Sequence, residues 1–155
     1  MEKVNPFEKF DKQWALVTSG NIDHFNTMTI SWGSMGTLWH KPIITIYIKP
    51  VRYTYNFLEE NDYFTVSFFD HQYKGDLMTL GTTSGRDGDK VALTGLHPVS
   101  IGDYVGFKEA KTTFICKKIY SQSMDQSFMP DDVVRSYYMG EAEHKMFIGE
   151  VIEEL

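Results

Sequence analysis

Between Ile43 and Ile48 the chain reads Ile-Ile-Thr-Ile-Tyr-Ile, a β-branched and aromatic run with the character of a strand buried on at least one face. Segments of the same kind recur at Trp14 to Thr18, Thr27 to Ser31, Tyr63 to Phe69, from about Phe107 to Ser121, and at Lys145 to Ile152. Each ends near Gly, Pro, Asn or Asp, which terminate strands. Aromatic residues make up 15% of the chain, and such side chains pack well on pleated surfaces or form walls for a planar ligand. Helical patterns are few. Arg52 to Glu60 follows Pro50 and sets Tyr53, Phe57 and Glu60 near one face; Lys74 to Leu80 would be stopped by Gly81; Pro130 to Tyr138 opens on Pro and two acids and halts at Gly140. Many strands and few short helices predict a mainly β fold, closed or partly closed into a barrel so that few sheet edges stay exposed. The strands do not alternate with helices, which disfavours a doubly wound parallel sheet.

The length, 155 residues, suits a single domain over 1–155, and no linker or repeat divides it. No apolar run approaches the roughly 18 residues of a membrane span, and the N-terminus has no apolar segment of the secretory type, so a cytoplasmic protein without a membrane partner is expected. A net charge of −6 disfavours nucleic acid as a partner, yet leaves room for one locally bound phosphate. The single cysteine, Cys116, excludes an internal disulfide, a Cys-rich zinc site and a Cys-x-x-Cys relay; its place between Ile115 and Lys117 predicts a packed, inert thiol. The histidines lack metal-ligand spacing, so no metal is expected, and there is no Gly-x-Ser-x-Gly elbow, P-loop or Gly-x-Gly-x-x-Gly fingerprint.

Four segments carry candidate chemistry. In Asn26-Thr-Met-Thr-Ile-Ser-Trp-Gly, the period of a strand puts Thr27, Thr29 and Ser31 on one face, a row of small hydroxyls suited to a polyol or an imide edge; Gly33 and Gly36 would let backbone amides approach a ligand. Lys49 and Arg52 bracket Pro50 where a strand meets a helix N-terminus, a setting that favours an anion. Gly81-Thr-Thr-Ser-Gly-Arg-Asp-Gly-Asp-Lys offers hydroxyls, glycines and cations to a phosphate. His144, at the mouth of the last strand, is placed to donate to a ligand or move a proton. Each segment taken alone also fits ordinary solvated or packed structure.

In this order, with Trp39-x-Lys-Pro, Lys49-Pro-x-Arg-Tyr-Thr, Ser84-Gly-Arg-Asp-x-Asp-Lys and His144-x-x-Phe-Ile-Gly-Glu-Val, the segments resemble the flavin reductase family of FMN-binding split-barrel, flavoredoxin-like proteins, over nearly the whole chain. The resemblance implies a Greek-key split β-barrel, a homodimer, and noncovalent FMN near the subunit interface. It also implies an oxidoreductase that moves electrons from NADH, NADPH or a redox partner protein through FMN. By position, Thr29 and Ser31 would meet the flavin ring edge or ribityl chain, helped by the backbone at Trp32 and Gly33. Arg52, Thr54, Ser84, Gly85 and Lys90, with Lys49, would hold the phosphate and ribityl oxygens. Trp39 would wall the flavin, and His144 would sit near the ring as the candidate catalytic residue. Two other readings stay open: an FMN carrier or store without efficient NAD(P)H reaction, and a barrel that has lost flavin and binds haem or nothing.

Overall fold

The computed structural model describes residues 4–155; residues 1–3, the start of the expected domain, lie outside that range. The strands are β1 (Ala15–Asn21), β2 (His24–Ile30), β3 (Gly33–Leu38), β4 (Lys41–Ile48), β5 (Tyr63–Phe68), β6 (Pro98–Ile101), β7 (Tyr104–Phe107), β8 (Thr112–Ser123) and β9 (Lys145–Glu154). The helices are α1 (Pro6–Glu8), α2 (Tyr53–Glu60), α3 (Lys74–Thr82) and α4 (Asp131–Tyr137). Antiparallel pairing links seven strands in the order β2-β1-β5-β8-β9-β4-β3, and β6 and β7 form a separate hairpin. The end strands β2 and β3 follow one another in the chain but are not hydrogen-bonded, so the sheet stays unclosed as a split barrel. Consecutive strands β4 and β5 are separated in the sheet by β9 and β8; this is the crossing connection of a Greek key, and α2 lies on it. No helix among the described residues is long and apolar enough to cross a membrane.

The core follows the strand period. Ala15 and Val17 of β1, Met28 and Ile30 of β2, Ile44, Ile46 and Ile48 of β4, and Phe64, Val66 and Phe68 of β5 point into one cluster. Each fully buried side chain of this kind contributes about 1.5–3 kcal/mol. Leu16, on the other face of β1, packs with Leu77 and Leu80 of α3 and with Leu96 and Phe107 in a second cluster. Gly149 permits a close contact in the barrel, since a Cβ there would stand 2.6 Å from Phe64 and 2.7 Å from Cys116. Cys116 is fully buried as expected, and burial pushes its thiol up to about 12.

Several local expectations are corrected. Trp14 is not in a strand; it ends a π-helical turn, Lys9–Gln13, with φ 67°. Gly81 does not stop α3, which continues to Thr82; the missing Cβ instead brings the helix to Thr29, whose Cβ would lie 3.1 Å away. The long segment from Phe107 splits, with Phe107 ending β7 and β8 starting at Thr112. β3 was not foreseen. Its residues, Gly-Ser-Met-Gly-Thr-Leu, have little strand propensity, and it is held by register pairing from Gly33↔Ile46 to Leu38↔Lys41.

Candidate functional site

Pro50 and Val51 form the centre of a turn closed by the Arg52 amide donating to the Lys49 carbonyl, 3.0 Å. Arg52 then caps α2 in an extended conformation, and its half-buried guanidinium donates to the Gly81 carbonyl, 3.2 Å. Two adjoining cavities share Arg52 in their walls.

The first, about 250 Å³, brings Arg52, Arg86 and Lys90 together with Thr54, Ser84 and Gly85, and among the described residues no carboxylate lines it. This cationic hollow exists in a chain of net charge −6. Gly85 is needed, because a Cβ would fall 2.2 Å from Asn26 Oδ1 and 3.0 Å from the Tyr53 ring. The Arg86 guanidinium stacks over Tyr53 at 5.0 Å and donates to the Val51 carbonyl, 2.7 Å. The Ser84 hydroxyl accepts from the Arg86 amide, 3.2 Å. Lys90 is 4% exposed, and its ammonium donates to the Leu80 and Thr83 carbonyls at 2.9 and 3.0 Å, anchoring the end of α3. Burial and, second, the Arg52 charge pull this lysine down to about 8. Beyond Asn26, Tyr53, Gly85 and Lys90 a larger, open cavity of about 800 Å³ continues from the first.

The second cavity, about 190 Å³, is lined by Ser31, Trp32, Tyr47, Arg52 and His144, with Thr29 at its wall. Trp32 stands edge-on to Tyr137 at 5.3 Å and lies 5.4 Å from the His144 ring. His144 Nδ1 is 2.8 Å from the Tyr138 hydroxyl. Burial first, and then the charge of Lys49, hold His144 below the usual histidine range, against a smaller opposite pull from Glu141.

Of the residues singled out in the sequence, Thr29, Ser31, Trp32, Arg52, Thr54, Ser84, Gly85, Lys90 and His144 line these two cavities. Others do not. Thr27 is 0% exposed and bonds to Thr18 Oγ1, 2.9 Å, and to the Val17 carbonyl, 3.1 Å; the expected row of three hydroxyls toward a ligand therefore fails, because α3 covers that face of the sheet. Even Thr29 gives its hydroxyl to the Leu77 carbonyl. Gly33 packs on Phe10, and Gly36 faces open space in β3. Lys49 reaches the Tyr137 carbonyl, 3.2 Å, and the Glu141 carboxylate, so it fastens α4 and the following loop. Trp39 sits with His40 at the tip of the β3–β4 hairpin, 60% exposed, in neither cavity. Sequence reasoning assigned no role to Asn26, Tyr47 or Tyr138, and offered Arg86 to a phosphate only as one of the two cations of the segment 81–90. Arg86 lies inside the quoted Ser84-Gly-Arg-Asp motif and was the legible one; the others come from distant segments and carry no local signal. Among the described residues no group of His, Cys, Asp and Glu could hold a metal ion.

The family model described as flavin reductase like domain matches residues 7–153. A comparison with curated proteins found no match. Solved structures are similar in fold. The flavoredoxin of Desulfovibrio vulgaris (Miyazaki F) superposes with a TM-score of 0.70 at 22% identity, over 100% of this chain and 76% of the other. An FMN-binding protein from Thermus thermophilus, with bound 1-cyclohex-2-enone, gives 0.71 at 19% identity over 100% and 78%. The styrene monooxygenase flavin reductase of Pseudomonas putida S12 gives 0.68 at 14% identity over 92% and 78%. With the family match spanning nearly its whole length, the chain belongs to the flavin reductase like domain family.

Proposed function

We propose that this chain binds FMN noncovalently and works as an FMN-dependent oxidoreductase of the flavin reductase type, taking electrons from NADH, NADPH or a redox partner. The observation that carries the reading is the pair of adjoining cavities. One has Arg52, Arg86 and Lys90 and, among the described residues, no carboxylate, which suits a phosphate; the next has Trp32, Tyr47, Ser31 and His144, which suits a planar heterocycle with polar edges. FMN supplies the redox chemistry when bound, and the protein supplies binding, orientation and electrostatic setting. Arg52, common to both walls, ties the two ends of the ligand to one side chain. Lys90 steadies the loop that presents Ser84 and Gly85, and keeps one ammonium hydrogen beyond its two carbonyl bonds.

The working unit in this reading is a homodimer. β5 pairs with β8 only as far as Lys117, so beyond the contact of Lys118 with Asp62 one edge of β8 is left open toward Ser123. Tyr120, Met124 and Phe128 are exposed on and just after this overhang. An open edge with apolar neighbours favours burial against a second copy.

The test is an absorbance titration of the purified protein with FMN, followed by anaerobic NADH or NADPH. Saturable uptake and bleaching by a nicotinamide support the reading. Uptake with bleaching only by a reduced protein keeps the reading with a redox partner as the donor, bleaching only by dithionite reassigns the chain as a carrier or store, and absence of saturable uptake overturns it. Sedimentation at micromolar concentration reads the dimer; a monomer at all concentrations removes that part.

A further inference from the structure

Tyr138 lies behind His144, outside both cavities, at the C-terminal end of α4. It is 6% exposed, and burial is the main influence raising its phenol above the usual range, so it stays protonated. Its oxygen is 2.8 Å from His144 Nδ1, the one side-chain hydrogen bond that the phenol makes among the described residues. The nearby cation, Lys49 Nζ, stands over the phenol ring at 5.5 Å and has only donors to offer. A buried O–H with a single acceptor in reach donates to it, because leaving the hydrogen unpaired is costly. Nδ1 can accept only when it carries no proton. The ring hydrogen of the neutral imidazole is then on Nε2, at the edge of the ring away from Tyr138.

We propose that Tyr138 is a positioning residue that fixes His144 as a neutral imidazole with its Nε2–H turned toward the ring cavity. The inference rests on the FMN reading for the identity of the ligand, but not for the tautomer. His144 then offers a neutral donor to a carbonyl oxygen or ring nitrogen of a planar ligand, and adds no fixed charge to a cavity that already holds Arg52. The groups around it act together. From the turn after β4, Lys49 opposes the imidazolium, and Tyr47 of β4 lines the same cavity; from the loop after α4, Glu141 favours the imidazolium; Trp32 and Tyr137 add aromatic surface. The phenol donation favours the neutral form, since protonation of Nδ1 would remove the acceptor.

The experiment is long-range 1H–15N NMR of the histidine rings in flavin-free protein, wild type and Tyr138→Phe, across pH. The expected wild-type result is a single Nε2–H tautomer. Tyr138→Phe should show both tautomers and a protonation midpoint higher by about half to one pH unit, the worth of one hydrogen bond. A wild-type Nδ1–H tautomer, or identical spectra and midpoints in both proteins, overturns the proposal. If Tyr138→Phe does not fold, the wild-type tautomer decides alone. In flavin-loaded protein the acid limb of the reduction rate should move up with the midpoint, and the rate where His144 is neutral in both should fall by no more than the fraction of Nδ1–H tautomer seen by NMR; an equal slowing at every pH with an unmoved acid limb would mark Tyr138 as packing only. Loss of FMN uptake in wild type would sink the functional reading and leave the tautomer result standing.

Discussion

The Asn26 side-chain amide donates to the Thr54 hydroxyl over 2.8 Å, and both residues are buried in the wall of the cationic cavity. This bond ties β2 to the first turn of α2, two elements 28 positions apart in the chain. Thr54→Val keeps the shape but leaves an amide hydrogen without its partner, which costs about 1–3 kcal/mol. The expected result is a lower unfolding midpoint by calorimetry together with weaker FMN binding. A variant as stable as the wild type would mean that the amide finds another partner.

Arg86 gives a cleaner separation of binding from folding. It is exposed, and its anchors, the Val51 carbonyl and the Tyr53 ring, hold it at the cavity rather than in the core. Arg86→Ala should weaken FMN about tenfold or more, the loss of one charged hydrogen bond, while thermal stability stays close to wild type. The affinity of the variant should also depend less on salt. Equal dissociation constants for the two proteins would take Arg86 out of the phosphate site.

Lys90 makes the site sensitive to alkaline pH. Its folded value of about 8 lies below the ordinary 10.5, so between these limits the unfolded chain binds the proton that the native lysine has released. Stability of the flavin-free protein from this group is therefore reduced below pH 8 and rises as pH climbs toward 10.5. A bound phosphate reverses the shift, so FMN binding near pH 8 should take up protons and weaken as pH rises. Titration calorimetry in two buffers of unlike ionisation heat reads this directly; the same heat in both would refute it.

At the β3–β4 turn, Trp39 and His40 both have positive φ, 53° and 58°, in a loop bracketed by the Leu38↔Lys41 pair. This is the geometry that favours Asn-Gly, and side chains with a Cβ are strained in it by about 1–2 kcal/mol per residue. Replacing Trp39-His40 with Asn-Gly should raise stability by about 1–2 kcal/mol in denaturant unfolding. If FMN affinity or reduction falls in the same variant, the strained tip reaches the site from a second subunit. A stability loss would show that the indole has packing that outweighs the strain.

The strands that carry the core were legible because burial on one face writes a period of two into the sequence, as in Ile44, Ile46 and Ile48. β3 and the β6–β7 hairpin were not, since their residues gain strand structure from pairing rather than from propensity. Within the site, Arg52 was readable because Pro50 announces the turn that delivers it. The misreading of Thr27 has a physical reason: alternation tells which residues share a face, but not that its hydroxyl would be used up by Thr18 and Val17 of β1, nor that α3 would take the hydroxyl of Thr29 on the same face. Asn26 and Tyr47 matter through residues far away in the chain, and Tyr138 through a bond to His144 that only the bend of the loop after α4 creates; such pairings leave no mark on either segment alone.

Trp32, edge-on to Tyr137 and tilted against the His144 ring, gives the molecule a native optical reporter. Trp14 lies under the Lys74 ammonium and Trp39 at the hairpin tip, each outside the ring cavity, so indole emission that changes with acid or with added ligand originates at a known place. Silencing the other two fluorophores would turn the unlabelled protein into a gauge of imidazole charge and cavity occupancy in one cuvette.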